Sequence, residues 1–375
     1  MSDSIEKIEC DIFIIGGGIA GCIAAIALSE YAGVVLIDKR LEPEDKIGES
    51  LAPAAKRILK KLGIYEELNL DENDVHLVNR AAKSYWGSSK ARYVDHLNNP
   101  DGYGWYLNRK SFEKALRLSV ENRGVRCLWG AQFKSNSRDQ NSNTSILSQS
   151  SKTIELKSKF IIDASGRSAH FARSLSIKRE IQDKLVAYWA TTENNALHHV
   201  SQIIAVESGW WYISPIPQNK IIISFYSDAD LIESLIRQKR NREGFIELIE
   251  EHDLASKLGA LNYSSLSFKG VVSANTSRLT KYADDYWAAI GDAVIHFDPL
   301  SSQGMFNAMA SAMQLTDLLK QFRFTEANGH FDGESFTKIY SQQIDSIWNH
   351  YVGHKKHYYS MEQRWNQAPF WARRI

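Results

Sequence analysis

Three glycines, Gly16-x-Gly18-x-x-Gly21, stand between an apolar run, Asp11–Ile15, and a helix-like stretch, Ile19–Glu30. The first permits a tight turn, the second lets backbone approach a pyrophosphate, and the third packs helix on strand. The helix start then offers free N–H groups and a positive dipole end to phosphate. Asp38, with Lys39 beside it, ends a second apolar strand, Gly33–Asp38, where an acid binds ribose hydroxyls. Strand, turn, helix, strand and acid in that order mark a dinucleotide site. A second block lies near residue 300: Ala289-Ile-Gly-Asp-Ala293, then Asp298-Pro-Leu-Ser-Ser-Gln-Gly304. Its first half presents the Asp292 carboxylate to a polyol chain. Its second half delivers a helix N-terminus whose N–H groups stabilise negative charge on a ring.

These residues need a scaffold, and the chain is long enough to build one. Its 375 residues suggest about two domains, and 43% apolar with 24% charged residues is ordinary globular composition. The opening segment reads as βαβ. Helices are expected over Ser50–Leu62, Ser111–Arg123, Leu231–Arg240, Glu243–Leu258 and Gln303–Phe322, and the last forty residues are helical and aromatic. Strands are expected over Ala81–Gly87, Gly102–Leu107, Val125–Phe133, Thr153–Ile162, Val186–Thr191, Val200–Val206, Trp210–Ile213, Ile221–Tyr226 and Tyr286–Ile290, with a β pair near Leu266–Ser273. The polar tract from Ser135 to Ser151 reads as an exposed hairpin tip or a disordered loop.

Composition excludes several classes. Forty-five basic against 44 acidic side chains leave a charge of +1, which argues against a nucleic-acid groove or an anionic membrane surface. Three cysteines without a C-x-x-C exclude a disulfide framework and a thiolate zinc site, and no metal is expected. Ile12–Ser29 carries no charge, but its glycines break it into strand, turn and helix, so no membrane span is expected. The polar start, Met1–Lys7, is unlike a secretory signal, and a cytoplasmic location is expected.

Taken together, G-x-G-x-x-G, G-D-A and D-P-x-S-x-Q-G resemble the FAD pattern of p-hydroxybenzoate-hydroxylase-type flavoproteins. Gly48-Glu-Ser-Leu-Ala-Pro53, Leu107-Asn-Arg109 and Asp163-Ala-Ser-Gly-Arg167 resemble that family's intermediate motifs. The resemblance implies an α/β chain: a Rossmann-like FAD domain (1–75, 105–180 and 275–325), an inserted mixed-sheet substrate domain (76–104 and 181–274) and C-terminal helices (326–375). It places Asp38 on the adenosine ribose, Asp292 on the ribityl chain, and Gln303, Gly304 and Met305 near the flavin pyrimidine. Gly16, Gly18, Gly21, Lys39, Arg109 and Pro299 complete the implied cofactor set. No second G-x-G-x-x-G is present, so the reductant, NAD(P)H or another source, is unspecified.

Within that family, Gly209-Trp-Trp-Tyr-Ile-Ser-Pro-Ile216 resembles the halogenase signature W-x-W-x-I-P, with Tyr212 at its second Trp and Ser214 at its Ile. Lys83 is the nearest candidate for a halogenating lysine. Length, the Asp298–Gly304 loop, the altered signature and the tail are most similar to LodB-like flavoproteins, which mature cysteine-tryptophylquinone amino-acid oxidases. That resemblance implies hydroxylation of a tryptophan in a precursor of such an oxidase, using O₂ and a reductant. Glu49 and His296 are the candidate bases for the ring proton. The alternatives are a small-molecule aromatic hydroxylase or halogenase, and a non-catalytic flavoprotein chaperone.

Other features read as structural. Met305, Met309 and Met313 form a core stripe. His350, His354 and His357 share a helical face without completing a metal set. Arg364, Arg373 and Arg374 read as a solvated or phosphate-facing tail. Trp210 and Trp211 either line a substrate cavity or cap a sheet.

Overall fold

The computed structural model describes residues 5–72, 74–96, 99–139, 142–195, 198–235, 240–259, 261–325 and 331–375. Among the described residues two large sheets, of eight and seven strands, organise the chain, and helices pack on them. The first sheet runs in the order Ala283–Asp284, Trp287–Ala289, Lys152–Asp163, Glu6–Ile15, Val34–Asp38, Arg126–Trp129. Its central four pairings, from Trp287–Ala289 across to Arg126–Trp129, are parallel. Ile12 to Ile15 are all buried because helices cover a parallel sheet on both faces, which explains the continuous apolar run. The glycine helix, Ile19–Leu28, buries all its residues against this sheet.

The second sheet is ordered Ser267–Ser273, Leu185–Glu193, Lys220–Asp228, Gly209–Ile216, Ser201–Val206, Ala81–Tyr85, Arg92–Asp95. Side-chain alternation splits it cleanly. Trp211, Ile213 and Phe225 pack beneath Phe245, Leu248 and Ile249 of the helix Arg242–Glu251. Trp210, Tyr212, Tyr226 and Ala187 face the opposite way, toward Tyr359, Phe370 and Trp371 of the C-terminal tail. The tryptophan pair thus divides: Trp211 is core, and Trp210 backs the inner face.

Several expected elements are corrected. Ser50–Leu51 is a short strand paired with Gly104–Leu107, and the helix begins only at Ala55, since Pro53 disfavours helix before it. Val125–Phe133 breaks at Gly130, φ +82°, into Arg126–Trp129 and Gln132–Arg138. The polar tract is mostly strand: Gln132–Arg138 pairs with Asn143–Gln149, whose alternate side chains are buried. Glu243–Leu258 becomes two helices separated at Asp253, φ +44°. Leu266–Ser273 holds one strand, Ser267–Ser273, not two. The helix expected over 231–240 is Ala229–Leu235, and 236–239 lie outside the described residues, as do 140–141 of the polar tract and 326–330 of the C-terminal helical region. The tail is a long helix, Gly333–Ser360, and a short one, Pro369–Ala372. Among the described residues no helix is long and apolar enough to cross a membrane.

Candidate active site

Gly16 sits at φ +112°, and a Cβ there would fall 2.4 Å from the Ala164 carbonyl oxygen. A Cβ at Gly21 would lie 1.9 Å from Gly16 O, so the helix packs on the turn only through glycine. Gly18 differs: no protein atom lies within 4 Å of where its Cβ would stand. The glycine helix begins there with no side-chain cap, which leaves its first N–H groups for a phosphate.

Asp38 closes the turn from the neighbouring strand. Its carboxylate accepts from Gly17 N and from Arg40 N, both at 2.8 Å, and keeps lone pairs for a hydroxyl. Lys39 is exposed beside it and stands outside the cavity lining. Arg117 was not anticipated. It lies 3.4 Å from Asp38, donates to Gly17 O at 3.2 Å, and stacks 4.2 Å over the Trp129 ring. Its helix, Arg109–Glu121, carries Arg109, Glu113 and Arg117 four residues apart on one buried stripe. That spacing was the signal available in the sequence. Glu113 pairs with Arg109 at 2.6 Å and Lys46 at 2.7 Å; burial pushes its carboxyl up, but these two cations outweigh that and hold it below the usual range. Arg109 also donates to Gly48 O, and its Nε is buried without a partner.

Of these residues Gly18, Lys46, Gly48, Arg109 and Glu113 line a cavity of about 300 Å³, at the lower end of ligand-site volumes, whereas Gly16, Gly21, Asp38 and Arg117 stand outside its lining. Gly18, Arg109, Gly166 and Arg167 line one end, and Asp292, His296, Pro299, Gly304 and Met305 line the floor. Ala187, Tyr212, Tyr226 and Val272 of the second sheet form the opposite wall, and Glu49 stands between. Glu49 is 1% exposed, yet neither carboxylate oxygen has a hydrogen-bond partner, and the buried Tyr212 hydroxyl also has none. Buried polar groups are seldom left so, and a ligand carrying donors and acceptors would complete them.

Asp292 is 40% exposed in the turn Gly291–Ala293, whose carbonyls are held by Arg179 at 3.1 and 2.6 Å. His296 lies 4.0 Å from Asp292. Its Nδ1 is 2.5 Å from the Asn275 carbonyl, which can only accept, so Nδ1 carries the proton and Nε2 is bare in the neutral ring. Burial keeps its pKa below the ordinary value, against the pull of Asp292. The helix Gly304–Gln321 starts on the floor without a side-chain cap. Gln303 is exposed just before it and outside the lining, unlike Pro299, Gly304 and Met305. Asp163 is fully buried and accepts from Ser165 and Ala172 N, so it braces its loop and leaves Ala164, Gly166 and Arg167 to face the cavity.

An uncapped helix start, an open Gly18, paired cations and unsatisfied polar atoms fit a dinucleotide with a polar ring system. Residues 9–329 match the family of FAD binding domains. The chain belongs to that family. FAD is its cofactor, and the protein is an FAD-dependent oxidoreductase. Over 374 residues it is 25% identical to a putative FAD-dependent oxidoreductase, LodB, of Marinomonas mediterranea, covering 97% of this chain and 96% of LodB. Its fold superposes with a TM-score of 0.85 on the myxobacterial chondrochloren halogenase CndH (18% identity, 98% and 86% of the two chains). It superposes at 0.75 on the peptidyl tryptophan dihydroxylase QhpG (18% identity, 98% and 78%).

In this FAD-binding chain, Lys83 is not among the residues that line the cavity. It lies on the strand Ala81–Tyr85, 5.0 Å from the Tyr85 ring. Met305, Met309 and Met313 are core, and Met305 also touches the cavity. His350, His354 and His357 are exposed. The basic tail is a correction: Arg374 is buried and pairs with Asp228 at 2.5 Å, Arg373 reaches Asp228 and Asp230, and Arg364 pairs with Glu362.

Proposed function

We propose that the protein is a monooxygenase that hydroxylates a tryptophan in the precursor of a quinoprotein amino-acid oxidase. The observation that carries this reading is the end-to-end similarity to LodB, with neither chain left substantially uncovered. Likeness to a peptidyl tryptophan dihydroxylase supports the same reaction class. The cavity chemistry is compatible: an apolar and aromatic wall for an indole, and one buried acceptor, Glu49, for its N–H.

Reduced FAD, when bound, supplies the electrons that turn O₂ into an electrophilic oxygen donor, and the balance is one oxygen to the ring and one to water. The chain supplies orientation and proton handling. Glu49 accepts the indole N–H and fixes the ring against Tyr212 and Tyr226. The bare Nε2 of His296 takes a ring proton. The enclosing sheets exclude water, which limits wasted reduction of O₂. The helix start at Gly304 stabilises negative charge developing on its side of the cavity.

Coexpression with the oxidase precursor, followed by peptide mass spectrometry, tests the reading. We expect a tryptophan gaining one or more oxygens with the wild type. A general base typically contributes about 10²–10⁴ in rate, so His296→Gln should lose activity on that scale while retaining FAD. An unmodified tryptophan under sustained flavin turnover would refute it. The second reading, halogenation, is favoured by Trp210 and by the CndH-like fold. No lysine equivalent in place to Lys83 lines the cavity, and Lys46, which does, is paired with Glu113. Bromide added to the same assay separates the two, since a brominated product would support halogenation.

A further inference from the structure

The long tail helix carries Tyr351, Lys355 and Tyr359 four residues apart, and all three enter one buried polar cluster. Asp298 N donates to Tyr351 Oη at 2.7 Å, and that hydroxyl shares a 3.1 Å hydrogen bond with Thr276. Lys355 donates to Thr276 at 2.7 Å and pairs with Asp183. Tyr359 Oη donates to Asp298 Oδ2 at 2.9 Å and accepts from Trp210 Nε1 at 3.2 Å.

Each of those two bonds leads to a different wall of the flavin cavity. Asp298 Oδ1 accepts from Leu300 N at 2.9 Å, closing the turn that opens the Asp298–Gly304 loop. Asp298, Pro299, Ser302 and Gly304 line the cavity floor. In the other direction, Trp210 stacks on Tyr226 with centroids 4.0 Å apart and planes 10° apart, and Tyr226 lines the sheet wall. A single fully buried phenol therefore joins floor to wall. It does so from position 359, outside the segment that carries the family match.

We propose that Tyr359 is a positioning residue for the flavin site, holding the Asp298–Gly304 loop in register with the Trp210–Tyr226 wall. It touches neither cofactor nor substrate and acts through Asp298 and Trp210. The inference rests on the cavity being the FAD site and is independent of which substrate is oxidised.

Tyr359→Phe keeps the ring in its aromatic surroundings and removes both hydrogen bonds. Titrating apoprotein with FAD, we expect affinity to fall about tenfold, since hydrogen bonds to charged groups commonly contribute on that scale. The midpoint potential of the bound flavin should shift as well. Asp298→Asn should act in the same direction, and the double variant should be no worse than the poorer single, because both act through one bond. Should Tyr359→Phe fail to fold, Asp298→Asn and Trp210→Phe carry the comparison. Tyr282→Phe is the control for general loosening: it removes a 2.7 Å phenol bond to Asp345 on the same helix, away from the loop. Wild-type affinity and potential in Tyr359→Phe, full additivity with Asp298→Asn, or an equal shift in Tyr282→Phe would each overturn the proposal. Loss of FAD by the wild type itself would instead count against the site.

Discussion

A carboxylate with 1% exposure and no hydrogen bond is expensive to keep, because burial of an unpaired polar group opposes folding. Glu49 retains that arrangement in the cavity lining, and in the function proposed above a bound group completes it. The glycines make a division between fold and ligand site legible one residue at a time. At Gly16 a side chain collides with backbone, whereas at Gly18 it meets open space. We expect Gly16→Ala to lower the melting temperature of the apoprotein. Gly18→Ala should leave that temperature near wild type and weaken FAD binding by roughly tenfold, or ~1.4 kcal/mol. Calorimetry of both apoproteins beside FAD titrations checks this, and equal destabilisation by the two substitutions would contradict it. The glycine spacing and Asp38 were readable because their chemistry is local in sequence. Arg117 was not, because its partners Gly17 and Asp38 come from distant turns, and only the four-residue stripe with Arg109 and Glu113 hinted at its burial.

At the scale of elements, periodicity located most strands and helices, and breakers set the errors. Pro53, Gly130 and Asp253 each interrupt an apolar pattern that otherwise reads as continuous. The polar tract misled in the other direction: Asn143, Ser145 and Leu147 are buried because their strand lies on Lys152–Asp163, a pairing that local polarity does not reveal. The tail misled through charge. Arg374 reads in the sequence as solvated or phosphate-facing, yet it is clasped by Asp228 from the second sheet, with the Phe370 ring centre 3.8 Å from its guanidinium. Asp228→Ala strands that cation. Breaking a buried pair costs about 3–5 kcal/mol, and a loss of unfolding free energy of that order in urea titrations is the expected result. A surface pair would contribute less than about 1 kcal/mol, and a loss that small would contradict the tail's role as a clasp.

Across the whole molecule, two desolvated histidines, the buried His76 and the partly buried His252, make stability depend on pH. Desolvation lowers His76 and His252 to about 4. Each also has a ring nitrogen accepting a hydrogen bond that protonation would break: His76 Nδ1 from Asn108 N at 3.1 Å, and His252 Nδ1 from Trp211 Nε1 at 3.2 Å. With the folded pKa below the unfolded value of 6.5, the unfolded chain binds more protons between those limits. Stability is therefore full above 6.5 and declines as pH falls from 6.5 toward 4. Denaturation midpoints across that window should show this slope, and His76→Gln should flatten it; a flat wild-type profile would count against the desolvation of both rings.

One cavity lined by residues from both large sheets' regions underlies the proposed chemistry, and isotopic oxygen tests it most directly. The holoenzyme, a reductant and the oxidase precursor are incubated under ¹⁸O₂, and the precursor tryptophan is weighed. The account predicts label from dioxygen on that indole, in proportion to the reductant consumed. Reductant consumption with an unlabelled, unchanged tryptophan would contradict it.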